Sequence, residues 1–173
     1  MTTHGADQFL VLAEAGAVRI TCFSGVTIPV LLRTEEYAAA LAHQLGLAPA
    51  PELDRRTVVA KCDFFIHEYA LRTRVGDDRL MEEQMLHLLF RADVIRVVPA
   101  SAGGSAAFGL DYTMIQYLHD PPVVYLANFV LATDAETVQR AQLIFDRLHG
   151  LALHNEGSRE MLMNYLAEYD RRD

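Results

Sequence analysis

The chain has little cysteine, and what it has is spaced for neither a cross-link nor a metal. Cys22 and Cys62 sit in apolar runs with no C-x-x-C between them, so buried thiols are expected. The seven histidines never fall into H-x-x-x-H or H-E-x-x-H, which leaves a metal centre without a ligand pattern. G-x-x-x-x-G-K-[ST], G-x-G-x-x-G and G-x-S-x-G are all absent, which argues against a nucleotide loop, a dinucleotide fold and a serine hydrolase, so no cofactor is expected. Positive charge is scarce too. With a net charge of −8, and Arg171–Arg172 diluted by Asp170 and Asp173, the chain lacks the basic patch that direct nucleic-acid binding needs. No segment approaches the roughly 18 apolar residues of a membrane span, and no cationic leader precedes an apolar run, so a cytoplasmic protein without membrane contact is expected.

What is present is enough for a core. A hydrophobic share of 51% over 173 residues fits one domain spanning 1–173. The centre is the stretch Cys62–Ser101. Cys62–His67 reads as a strand, a link carries Glu68 and Arg72, a helix follows from about Asp78 to Ala92, and Val94–Val98 is a second strand ending at Pro99. That is a strand–helix–strand unit with parallel strands, and ligands in open sheets gather where such strands end.

Around this unit, Ala6–Ala15 reads as a short helix and Ala17–Phe23 as an alternating strand. Thr34 caps a helix from about Glu35 to Leu45 that stops at Gly46. Leu110–Leu118 and Val123–Leu131 flank His119-Asp120-Pro121-Pro122 as an antiparallel hairpin. Helices then start near Thr133–Asp134 and near Asn155. The expected fold is α+β, a mixed α/β single domain whose sheet combines the parallel unit with the hairpin and is covered by helices.

Several stretches resemble a known family. Ile28-Pro29-Val30-Leu31-Leu32-Arg33-Thr34-Glu35-Glu36-Tyr37-Ala38 is similar to the I-P-G-L-L-Q-T-x-x-Y-A opening of the effector domain of actinobacterial, antitoxin-like helix-turn-helix regulators of the xenobiotic-response-element family. His67–Gly76 is similar to its D-E-A-A-L-R-R-P-V-G, and Met81–Leu88 to its M-x-x-Q-L-x-x-L. Val94–Gly103 resembles V-T-V-Q-V-L-P-F-S-A-G, and Phe145–Leu153 resembles F-D-R-L-R-A-L-A-L. The resemblance implies an effector domain that binds a small molecule or a small partner protein. Departures accompany it. Val30 and Arg33 replace the family's Gly and Gln, and Leu53–Cys62 is too short for its Arg-rich helix. Leu126 follows Val123-Val124-Tyr125 where a glutamate is usual. So few residues precede the first helix that a stand-alone effector domain, without a helix-turn-helix, is expected.

Candidate site residues follow from position. His67 and Glu68 close the first core strand, and Glu68 stands four residues before Arg72, as in a helical carboxylate–guanidinium pair. A desolvated Glu68 with a raised pKa beside a titrating His67 would suit proton transfer; a structural ion pair is the alternative. The small-residue loop Ala100–Gly109, with Ser101, Ser105 and Phe108, reads as a lid or a partner surface. Tyr112, Tyr117 and Asn128 could line a cavity, or serve as ordinary core and rim residues. Tyr112, Met114 and Gln116 share one strand face, and Tyr117 is on the other.

Two functions of different class fit these residues. One is the stand-alone effector domain that binds a small, largely apolar molecule or a small partner protein. The other is a cofactor-free enzyme of specialised natural-product biosynthesis, a cyclase or isomerase with Glu68, His67 and Tyr112 as catalytic groups. Arg72, Ser101, Ser105, Phe108, Tyr117 and Asn128 would bind the ligand in either case. A homodimer formed through the exposed hairpin edge is the expected oligomer.

Overall fold

Near-continuous apolar runs along Cys62–His67 and Ile95–Val98 bury both faces of these strands, which is the condition for a sheet sandwiched between helices. The computed structural model describes residues 16–47, 56–106, 111–126 and 130–171. The expected helix at Ala6–Ala15 lies outside them. The elements in chain order are β1 (Arg19–Ser24), a 3₁₀ turn (Val30–Leu32), α1 (Glu35–Gln44), α2 (Arg56–Val59), β2 (Cys62–His67), α3 (Glu68–Arg72) and α4 (Asp78–Leu89). They continue as β3 (Ile95–Val98), a 3₁₀ segment (Ala100–Ala106), β4 (Tyr112–Gln116), β5 (Val123–Leu126), β6 (Val130–Ala132), α5 (Ala135–Leu151) and α6 (Asn155–Asp170).

The six strands form one mixed sheet in the order β3-β2-β1-β4-β5-β6. β1 pairs parallel with β2 and β2 with β3, while β4, β5 and β6 continue antiparallel from β1. Parallel crossovers are almost always right-handed, so two that step in the same direction put their helices on one face. That face is the larger core. Tyr37 and Leu41 of α1, Met81, Met85 and Leu88 of α4, and Leu162 and Tyr169 of α6 bury Ile20, Phe64, Ile66, Ile95 and Val97. Each such side chain contributes about 1.5–3 kcal/mol by leaving water. The opposite face is covered by α5. Its Ala141, Phe145 and Leu148 pack on Phe23, Phe65, Val98, Met114 and Val124.

The sheet corrects the hairpin in one respect. The run Val123–Leu131, expected as a single strand, is two strands: β5 stops at Leu126, and β6 begins at Val130 and pairs back on it. The run has no Gly or Pro, and Asn128 is the one polar residue between its apolar halves, so a single turn-favouring side chain was all that its pattern offered to announce the reversal. The expected loop at Ala100–Gly109 begins as 3₁₀ turns over Ala100–Ala106, and the link after β2 is the one-turn-plus helix α3. Where the family's Arg-rich helix was not expected, α2 forms a single turn.

Two of the family-like stretches, Ile28–Ala38 and Met81–Leu88, are clamped together. Gln84 is fully buried and donates from Nε2 to the Leu32 carbonyl at 2.9 Å, while its Oε1 accepts from Thr34 N–H at 2.8 Å. One amide side chain thus pairs with the backbone as a neighbouring strand would, tying α4 to the Ile28–Thr34 turn. Thr34 Oγ1 accepts from Tyr37 N–H and caps α1, and the Ile28 N–H donates back to Tyr37 Oη at 3.3 Å.

Candidate functional site

The parallel strands β1, β2 and β3 end on one rim of the sheet, where an open α/β sheet usually presents its ligand site. β1 ends at Ser24, and the Gly25 N–H donates to Asp111 Oδ1 at 2.8 Å. Arg33 stands nearby, half-buried. Its Nε donates to the Ile28 carbonyl at 2.7 Å and it also bonds Thr27 Oγ1. Burial lowers its pKa, and Tyr37 and Asp111 oppose that through their charge. β2 ends at His67–Glu68, and β3 runs through Pro99 into Ala100.

Glu68 ties this rim together. Its Oε2 accepts from the Ala100 N–H at 2.7 Å, and its Oε1 accepts from Tyr165 Oη of α6 at 2.6 Å. Burial pushes the Glu68 carboxyl up. The Tyr165 and Ala100 hydrogen bonds and the nearby charges of Arg72 and His67 outweigh it, so the pKa lies below the ordinary carboxylate value. The Tyr165 phenol moves the other way, raised well above its usual range by burial and by the hydrogen bond to Glu68. A carboxylate with both oxygens bonded and its charged form favoured is a poor proton shuttle, which corrects the expectation of a raised Glu68 pKa.

The neighbours of Glu68 are also engaged. His67 caps α3 through Nδ1, which accepts from the Tyr69 N–H at 3.2 Å, and its ring stacks on Tyr69 with centroids 4.9 Å apart. Burial lowers its pKa and the Glu68 charge pulls the other way. The guanidinium of Arg72 lies 5.9 Å from the Tyr69 ring centroid and acts on Glu68 through its charge. Among the described residues no direct Glu68–Arg72 ion pair within 4.0 Å forms, so the expected i,i+4 bridge is replaced by this ring contact.

The remaining candidates are dispersed. Tyr112 packs with the α5 core, whereas Glu68 reaches Tyr165, which packs with the core on the opposite face. The sheet therefore separates Glu68 from Tyr112, and the three groups assigned to catalysis do not surround one space. Tyr117 packs with the larger core, on the face opposite Tyr112. Ser101 is exposed on the 3₁₀ segment that also contains Ser105. Phe108 and Asn128 lie outside the described residues.

A groove does occur beside Tyr112. It has a volume of about 330 Å³ and lies between α5 and strands β4 and β5, lined by Tyr112, Val124, Leu126 and Ile144 with Thr137 and Arg140 at its polar side. Thr137, Arg140 and Ile144 were missed from the sequence. They sit on a helix whose apolar spacing reads as core, and only the strand beneath shows that part of that stripe overhangs open space. Among the described residues, no group of three or more His, Cys, Asp or Glu could hold a metal ion, and no helix is long and apolar enough to cross a membrane.

Residues 8–164 match the family described as a domain of unknown function, DUF5753. No curated protein and no solved structure matches the chain.

Proposed function

The chain belongs to the DUF5753 family, and from that premise we propose that it is a binding module that takes a small, largely apolar molecule into the groove beneath α5. The observation that carries this reading is the occupation of Glu68. Both its oxygens are spent holding Ala100 and Tyr165, so its work is to fix the rim and α6 rather than to move a proton. The groove has the composition of a recognition site: aliphatic and aromatic walls with few polar groups to set orientation. The resemblance of the Ile28–Ala38, His67–Gly76 and Val94–Gly103 stretches to the effector domain of xenobiotic-response-element regulators supports the same reading. An effector domain binds and signals.

The test uses 1-anilinonaphthalene-8-sulfonate, an apolar ring system with one anionic group that suits Arg140. Saturable fluorescence enhancement at one dye per chain is expected, lost in Ile144→Glu and retained in Glu68→Gln, with near-ultraviolet circular dichroism verifying that each variant is folded. Binding that ignores Ile144→Glu would sink the groove assignment. Conversion of a compound from a cell extract by the native chain, abolished by Glu68→Gln, would instead make the protein the cofactor-free cyclase or isomerase.

A further inference from the structure

The two edges of the sheet are finished differently. At β3, the outer side of the strand is closed. The Val97 N–H donates to Ser158 Oγ at 2.9 Å, its carbonyl accepts from the Leu153 N–H at 2.8 Å, and Arg96 Nε donates to the Leu153 carbonyl at 3.2 Å. This is how sheets usually protect an edge from unwanted pairing. At β6 nothing comparable is present among the described residues: the sheet order ends there, and no strand or side chain pairs with its outer side. Strand alternation leaves either Leu131, or Val130 and Ala132, with N–H and C=O directed outward. Val-Leu-Ala carries no charge and no proline, the usual deterrents to edge pairing.

Beside this edge lies an open apolar shelf of about 410 Å³. Pro121 and Pro122 before β5 and Thr133 after β6 form its floor, and Ala135, Val138, Gln139 and Gln142 of α5 form its wall. None of these side chains is charged, on a chain whose net charge is −8. Two like-charged molecules approach most readily where neither carries charge. We propose that a second copy of this chain docks here. β6 pairs antiparallel with β6 about a two-fold axis perpendicular to the sheet, which keeps the two α5 helices on the same face and lets their shelf-facing flanks meet. A three-residue strand alone cannot bury the roughly 1,200–2,000 Å² of a stable interface, and the shelf with its helix flank adds to that area. The pairing is isologous, so it closes at two copies and leaves no free edge to propagate.

Sedimentation equilibrium of the full chain from about 1 to about 100 µM tests this, because association shifts with concentration by mass action. The native chain is expected to be a dimer at the upper end. The double variant Ala135→Glu with Gln139→Glu, both exposed positions on the wall, sets like charges across the axis and should weaken association at least tenfold. Phe90→Ser, an exposed position that caps the C-terminal end of α4 on the opposite face of the sheet, should leave it unchanged. Amide exchange at the outward-directed groups of β6 should slow as concentration rises. A native monomer throughout, a dimer indifferent to the double variant, or a dimer lost in Phe90→Ser with unprotected β6 would each overturn the proposal.

Discussion

Tyr165 donates its hydroxyl proton to Glu68 at 2.6 Å, joining the last helix to the end of the central parallel strand across 97 residues of sequence. A charge-assisted bond of this kind is worth about 1.5–3 kcal/mol. Glu68→Gln and Tyr165→Phe should therefore each lower unfolding stability by about 1–3 kcal/mol in urea titrations. In a double-mutant cycle the two losses should be non-additive by roughly 1 kcal/mol, because both remove the same bond. Additive losses would mean that the pair contributes little.

The acid side of the pH–stability profile should carry two steps. Glu68 has a folded pKa below its unfolded value, so its contribution is complete above the unfolded pKa near 4.5 and is lost as pH falls through the folded pKa. His67 is also lowered, so the stability gained from keeping it neutral is complete above about 6.5 and declines as pH falls below it. Protonation would also take Nδ1 away from the Tyr69 N–H that it caps. His67→Asn keeps a capping acceptor and removes the titration. Melting temperature measured against pH should therefore lose its upper step in that variant and keep the lower one.

Gln84→Leu preserves size and apolar packing but leaves the Leu32 carbonyl and the Thr34 N–H without their partner. Two unpaired backbone groups at such a site cost about 2–5 kcal/mol, so the midpoint of denaturant unfolding should fall clearly. Gln84→Glu should fall similarly, since a carboxylate cannot donate to the carbonyl. A neutral outcome for Leu would show that the turn holds itself.

Ser158→Ala removes the hydroxyl that closes the edge of β3. The Val97 N–H loses its acceptor in a fully buried position, so stability should drop by about 1–3 kcal/mol. An unchanged melting point would mean that water replaces the hydroxyl.

Much of the fold was legible along the chain because local rules decide it. A short apolar run marked β2 over the same residues that the structure shows, and Thr34 and Asp134 cap α1 and α5 as their chemistry requires. The parallel unit followed from two strands separated by a helix. The reversal between β5 and β6 did not, because a largely apolar run broken by the single polar residue Asn128 reads as one strand or two, and only pairing partners distinguish them.

The candidate site divides along the same line. The sequence by itself determined that Glu68 stands where a central strand ends and that Tyr112 and Tyr117 lie on opposite faces, since strand alternation needs no partner to set it. It also determined the absence of metal-ligand and nucleotide motifs. Only the tertiary structure decided what Glu68 does. Its oxygens meet Ala100 and Tyr165, groups 32 and 97 residues away, and whether a carboxylate is a free base or a fastener depends on those distant donors. The groove under α5 was likewise a tertiary decision, because a helix stripe becomes a pocket wall only where the sheet beneath leaves it uncovered.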